Sequence, residues 1–438
     1  MHARTGRFDP ASPHGAGTDD RPRRFGREPL SARRLLGFLG PGYLIAVGYM
    51  DPGNWATDLS GGSAFGYALL WIVALPSAMA MFLQVLAARL GIVSGLDLAQ
   101  ACRVHSKPST VVWQWLLCEV AICAADLAEV IGTAIALNLL FGLPLAWGVG
   151  LTVLDVLLVL WLQQRGYRYL EAFIISLVAV VAVCLAISVA MVQPQWRDLF
   201  AGFVPNARTV VDPAMLYIAI GIIGATVMPH NLYLHSAIVK ARRGEEGDRR
   251  ATVAYASIDI VAALAIAFVI NAAILVMAGA AFHAHGQREV AELQDAHALL
   301  ATMTGSAVAG TAFALALFAS GQSSAVTATL TGQIVMEGFL QISIPAWARR
   351  LLTRAVAVVP ALFVVLVYGE SAIAQLLIAS QVVLSLQLPF AMVPLIRYTS
   401  RRSVMGRHAN HPLATVVAAT IAALIIALNA VLVWRTLF

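Results

Sequence analysis

Tyr49-Met50-Asp51-Pro52-Gly53-Asn54 and Val227-Met228-Pro229-His230 are the two stretches whose reading decides this fold. Each sets a proline deep inside an apolar run, directly after a side chain able to ligate a metal. Proline has no N–H, so Pro52 and Pro229 leave the carbonyls of Gly48 and Ala225 without their helical partners. The residue before a proline is pushed out of helical geometry, which predicts Asp51 and Met228 at the unwound points. Irregular backbone at membrane depth survives only where it is buried in protein or lines a cavity. Two such breaks therefore imply a substrate site.

The chain around them has 438 residues, 60% hydrophobic and 12% charged, with a mean hydropathy of +0.79. That composition excludes an ordinary soluble globule and predicts an all-α polytopic membrane protein. Eleven apolar stretches reach spanning length, at about 35–58, 66–93, 109–141, 146–163, 170–192, 215–240, 254–281, 306–337, 351–368, 371–397 and 412–434. Most Lys and Arg fall in the N-terminal tail and after even-numbered spans, among them Arg242, Arg243, Arg249, Arg250, Arg401 and Arg402. Arg197, Arg208, Arg288 and Arg435 fall on the other side. The positive-inside rule then puts the N-terminus in the cytoplasm and the C-terminus outside, as an odd number of spans requires. The positive net charge follows from this topology and does not point to nucleic acid.

Residues 1–33, rich in Arg, Gly, Pro and Asp, read as a disordered cytoplasmic tail without a cleavable signal. Residues 34–438 read as one transmembrane domain. The broken spans are the first and the sixth, equivalent positions if about 35–192 and 215–397 are two copies. Five spans per copy make the second inverted relative to the first, a recurrent transporter plan. The span at 412–434 is then peripheral. Cys102, Cys118, Cys123 and Cys184 read as small buried hydrophobes, not a disulfide or zinc framework. No G-x-x-x-x-G-K-[ST] stretch occurs, so nothing indicates a nucleotide-driven pump.

Asp51 leads the candidates, because an intramembrane carboxylate costs about 2.5–3.5 kcal/mol on insertion scales and is functional by default. The bland alternative is a helix cap at a proline kink, with Asn54 as a second cap. As a site, Asp51, Asn54 and the Gly48 carbonyl offer oxygens, and Met228 adds a thioether that suits first-row transition ions better than Ca²⁺ or Mg²⁺. His230 and His235, five apart, cannot face one point on an intact helix. They read either as hydrogen-bonded interior residues or as proton handlers. Glu119, Asp126 and Glu129 share one face of the third span, read either as ion pairs to Arg349 and Arg350 or as a proton relay to the cytoplasm. Gln381 and Gln387 on the tenth span are interior polar candidates, and the Ser/Thr-rich stretch from Gly321 to Thr331 reads as packing polarity.

At these residues the chain resembles the Nramp family of divalent metal transporters, known in bacteria as proton-coupled manganese transporters. The resemblance rests on DPGN at 51–54, DLAE at 126–129, MPH at 228–230 and GQSSAVTATLTGQIVMEGF at 321–339, and extends over about residues 35–434. It implies a LeuT-like fold of two inverted five-helix repeats and metal ligation by Asp51, Asn54, Met228 and the carbonyls of Gly48 and Ala225, with Gln381 from the tenth span. It also implies a proton pathway or gate drawn from His230, His235, Asp126, Glu129, Arg349 and Arg350. Magnesium-transporting relatives lack the methionine, so Met228 favours the transition-metal branch.

The expected protein is a symporter in a bacterial inner membrane that imports Mn²⁺, with Fe²⁺, Co²⁺ and Cd²⁺ as further cargo, by alternating access. It needs no resident cofactor, and its partners are metal ions, protons and the bilayer, with no nucleic acid and no obligatory protein. An amino-acid or other small-solute transporter of the same fold is the alternative, but Asp51 would repel a substrate carboxylate; a Mg²⁺ transporter is a further one. A membrane metalloenzyme would need a closed His and carboxylate cluster, and a receptor would need an added signalling domain.

Overall fold

The protein, a computed structural model, is described here over residues 40–154, 161, 167–240, 249–290, 292–369 and 372–437. The expected tail, Arg242 and Arg243 lie outside the described residues. The main helices are α1 (Pro41–Ala46), α2 (Pro52–Phe65), α3 (Leu70–Ser94), α4 (Leu98–His105), α5 (Pro108–Phe141), α6 (Leu145–Leu151) and α7 (Tyr167–Val192). They continue as α8 (Pro213–Thr226), α9 (Pro229–Lys240), α10 (Arg249–Ala281), α11 (Ala307–Leu340), α12 (Ala346–Val367), α13 (Ile373–Ser400) and α14 (Pro412–Leu437). Among the described residues, nine helical stretches are long and apolar enough to cross a membrane. The expected first and fourth spans lie partly outside the described residues, so the count of eleven extends beyond them.

Two boundaries differ from the hydropathy reading. The first and second spans are joined by a tight turn of 3₁₀-helix at Gly66–Leu69 instead of a loop. The outer connections carry short helices at Trp196–Ala201, Arg208–Val211 and Leu293–Thr304. These helices are too short or too polar to register in a window of membrane width.

Helix packing reproduces the inverted repeat. The fifth span, α7, lies along the eighth, α11, and the tenth, α13, lies in the same way along the third, α5. The seventh span, α10, packs on both halves of the first, as α3 packs on both halves of the sixth, α8 and α9. Contacts of α5 with α11, α3 with α10 and α2 with α8 are their own mirror images. A fold with that pairing brings the first and sixth spans to its centre. The eleventh span, α14, touches mainly α13 and α8 at the margin, as expected of a peripheral helix.

Candidate metal and proton site

Both breaks form where the prolines require them. The first span runs as α1, tightens to a 3₁₀ turn at Val47–Met50, and then turns extended at Asp51 (φ −68°, ψ 166°) before Pro52 starts α2. Gly48 thus lies in a tightened helical turn and not in fully unwound backbone, a narrower break than the sequence reading proposed. A helix end commonly tightens in this way to reuse its last carbonyls. In the sixth span α8 ends at Thr226, Val227 and Met228 are non-helical, and Pro229 opens α9. The C-terminal ends of α1 and α8, where carbonyls accumulate and the helix dipole is negative, meet at the centre and favour a cation.

Asp51 caps α2. Its Oδ1 accepts from the Asn54 backbone N–H at 2.9 Å and from Asn54 Nδ2 at 2.8 Å, so the cap reading is correct. It uses one oxygen only. Oδ2 is buried without a hydrogen-bond partner, although Asp51 is 2% exposed. Asn54 Nδ2 also donates to the Ala225 carbonyl at 3.3 Å, which ties the two breaks together.

Glycine lets the remaining candidates approach. A Cβ on Gly53 would collide with Gln381 Nε2, so the glutamine of α13 lies directly over the first break. Its Nε2 donates to Ser380 Oγ at 3.0 Å and its Oε1 is unpartnered. A Cβ on Gly48 would stand 2.4 Å from Asn231 Nδ2, and that same amide donates to Met228 Sδ at 3.5 Å. Asn231 therefore links the thioether to the first break. The two breaks are thus joined twice, through Asn54 between Asp51 and Ala225 and through Asn231 between Gly48 and Met228, with Gln381 against Gly53. Among the described residues no group of three His, Cys, Asp or Glu side chains forms a metal cluster.

Several supporting residues were not anticipated. Asn271 of α10 donates to the Tyr49 carbonyl at 2.8 Å and to Asn54 Oδ1 at 3.4 Å. Ser320 of α11 donates to the Met50 carbonyl. His235 Nδ1 shares a 2.9 Å hydrogen bond with Gln84 Oε1, and Gln84 Nε2 donates to Tyr49 Oη at 2.6 Å. His235 is thereby connected to the first break through α3, whereas His230 Nδ1 is buried without a partner. The hydroxyls of Ser323, Ser324, Thr327, Thr329 and Thr331 all donate to carbonyls of their own helix. That is the packing polarity expected of this stretch. Gln387 is buried, with both amide atoms unpartnered.

The acids of α5 meet α12. Arg349 Nη2 lies 2.6 Å from Glu119 Oε2, and Arg350 lies 2.8 Å from Asp126 Oδ1 and 3.5 Å from Glu129 Oε2. A third arginine, Arg354, completes the set at 3.1 Å from Asp126 and 4.0 Å from Glu129. Two carboxylates against two guanidiniums leave the inner group near neutrality, which lets it persist with Asp126 and Arg354 fully buried. Arg354 stands one turn beyond Arg350 on the same face; that i, i+4 spacing was the available signal.

Comparison with known proteins agrees with this geometry. The profile of the family described as Nramp, natural resistance-associated macrophage protein-like, matches residues 42–435. The chain belongs to the Nramp family. Curated Nramp relatives include the divalent metal cation transporter MntH of Bradyrhizobium diazoefficiens, 55% identical over 407 residues, covering 92% of this chain and 90% of the relative. That of Xanthomonas campestris pv. campestris is 56% identical over 404 residues, covering 92% and 91%. Among solved structures, the Eremococcus coleocola manganese transporter in complex with an aromatic bis-isothiourea compound superposes with a TM-score of 0.83 at 39% identity, covering 91% of this chain and 86% of that one. MhsT in complex with L-phenylalanine matches at TM-score 0.62 and 17% identity, over 92% and 100% of the two chains, a likeness of fold. The Nramp chain is thus a multi-pass membrane transporter with a LeuT-like fold, and not an enzyme.

Proposed function

We propose that the protein is a proton-coupled symporter that imports Mn²⁺, and also Fe²⁺, Co²⁺ and Cd²⁺, across a bacterial inner membrane by alternating access, with the N-terminus inside and the C-terminus outside. The observation that carries this reading is the buried, unpartnered Oδ2 of Asp51, set beside the Asn54 amide that reaches the Ala225 carbonyl across the two breaks. A carboxylate oxygen left bare in the interior is costly unless a cation completes it. Asp51, Asn54, Gln381, the Gly48 and Ala225 carbonyls and the Met228 sulfur supply ligands for a divalent transition ion, and one formal charge among them lets the ion leave. Transport follows if the helix halves flanking the ion part first outside and then inside.

Protons are assigned to the second polar system. Glu119, Asp126 and Glu129 with Arg349, Arg350 and Arg354 form a charged column between α5 and α12. Partner exchange within that column moves a proton without a bare buried charge. His230 and His235, on the second half of the broken sixth span, are assigned to the same proton handling because histidine is the side chain suited to it. An amino-acid substrate is disfavoured because Asp51 already occupies the N-terminus of α2, where a substrate carboxylate would dock.

The test is Mn²⁺ uptake into proteoliposomes with internal pH recorded in the same vesicles. Metal accumulation with simultaneous acidification is expected. Accumulation without acidification refutes the coupling, and uptake of an amino acid without metal refutes the site.

A further inference from the structure

Asp58 is a second intramembrane carboxylate in the first span. It is 1% exposed, and among the described residues neither oxygen has a hydrogen-bond partner. It lies seven residues beyond Asp51 on α2, about 10 Å along the axis at 1.5 Å per residue. Its helical neighbours fix what it faces. Asn54, one turn before, meets Asn271 and the Ala225 carbonyl. Gly61 and Gly62, one turn after, press on the same two helices. A Cβ on Gly61 would lie 3.4 Å from Ile218 of α8, and one on Gly62 would lie 2.5 Å from the Leu275 carbonyl of α10. Asp58 therefore lies in the seam between α2, α8 and α10.

That seam has few donors to offer. The walls around Asp58 are Ile, Leu, Ala and Gly, and the neighbouring Thr57 hydroxyl is committed to the Gly53 and Asn54 carbonyls. The Asn271 amide hydrogens are spent on Tyr49 and Asn54. On the two facing helices Asn271 Oδ1 and the Thr226 hydroxyl are likewise buried without partners. Two carboxylates with unpartnered oxygens, seven residues apart on one helix, suit a desolvated cation better than they suit apolar neighbours.

We propose that Asp58 is an outer cation subsite, which a divalent metal ion engages after the outer helix halves part and before it reaches Asp51. This rests on the import direction assigned above. A carboxylate there raises the rate of capture by concentrating the ion at the seam, and then hands it inward to a centre whose ligand set includes sulfur. Its position costs the closed, metal-free protein stability, because a bare charge is then sealed among apolar side chains.

The experiment uses the full chain and Mn²⁺ alone. In proteoliposomes of demonstrated wild-type uptake, Asp58→Asn is expected to raise the KM for external Mn²⁺ about 10–100-fold with little change in kcat, and Asp58→Glu to restore most of the loss. In detergent, Asp51→Ala protein is expected to retain a weaker Mn²⁺ site by electron paramagnetic resonance, and the Asp51→Ala, Asp58→Asn double variant to lose it. The metal-free Asp58→Asn protein is expected to melt higher than wild type. A wild-type KM in Asp58→Asn overturns the proposal. So does a lowered kcat together with a lowered melting temperature, which marks a structural role, and so does weak binding that survives in the double variant. Should wild-type protein fail to move Mn²⁺, the functional reading falls, while the comparison of single and double variants still decides for or against the subsite.

Discussion

Asn54 Nδ2 lies 3.3 Å from the carbonyl of Ala225, so one amide in the first span holds the break in the sixth. Both residues owe their availability to a proline: Pro52 turns Asp51 and Asn54 into the head of a new helix, and Pro229 frees the Ala225 carbonyl. A bound cation at this point needs oxygen from Asn54, not N–H. Rotation of the amide by half a turn supplies it, with Asn271 as the partner that changes accordingly.

Asp51→Ala is expected to abolish Mn²⁺ uptake and the tight Mn²⁺ site, leaving only weak binding, while the protein still inserts and folds. The substitution removes the formal charge of the ligand set, together with a cap worth about 1 kcal/mol. Isothermal titration on monodisperse protein checks the binding, and wild-type uptake by the variant would remove Asp51 from the site.

Met228→Ala should cost selectivity more than activity. A thioether suits soft ions, and its loss leaves room for a water that suits hard ones. Cd²⁺ affinity is expected to fall most, while Ca²⁺ and Mg²⁺ compete better than in the wild type. Both affinities belong on one preparation, because selectivity is a difference; equal losses for Cd²⁺ and Ca²⁺ would reduce Met228 to packing.

Gly53→Ala should behave as a positional lesion. A methyl group there collides with Gln381 Nε2 and cannot be accommodated without moving the glutamine off the break. Uptake is expected to fall to the level of Gln381→Ala, with no further loss in the double variant. Additive losses in a double-mutant cycle would show that the two residues act separately.

Asp126→Asn is expected to leave Mn²⁺ affinity close to wild type and to lower the protons admitted per metal. The amide preserves hydrogen bonding to Arg350 and removes the titrating group. Paired metal and pH recordings give the ratio directly, and an unchanged ratio excludes Asp126 from the relay.

Arg354→Met breaks a fully buried pair and should destabilise the protein by about 3–5 kcal/mol, because Asp126 and Glu129 then share one fewer counter-charge. Adding Glu129→Gln should recover much of that loss. Thermal unfolding of the single and double variants measures it, and no recovery would mean that Arg354 acts through packing.

The breaks were legible because proline carries its meaning locally: Asp51-Pro52 and Met228-Pro229 need no knowledge of a neighbour. The acids of α5 were legible as a face for the same reason, and Arg349 and Arg350 as a conspicuous pair. Asn271, Gln84 and Asn231 were not, because the importance of each lies in a partner dozens to hundreds of positions away, Tyr49, His235 and Gly48; Arg354 was missed although its spacing from Arg350 signalled it. Asp58 was overlooked although the rule that raised Asp51 applies to it equally. Proline drew attention to one carboxylate and away from the other. The narrow 3₁₀ break at Gly48 was out of reach of sequence, since proline dictates which bond is lost and not how the preceding turn tightens.

The half-used carboxylate of Asp51 sets a condition on coordination number. An ion held through Oδ2 alone leaves the Oδ1 bond to the Asn54 backbone N–H in place, whereas an ion that grips both oxygens strips the start of α2 of its cap. Large, oxygen-seeking ions such as Ca²⁺ draw on bidentate carboxylates to fill six to eight positions. They would therefore bind against a penalty of about 1 kcal/mol, about fivefold in affinity, that a compact ion with one carboxylate contact escapes. Helix initiation in the first span thus becomes a discriminator of denticity, independent of the sulfur across from it.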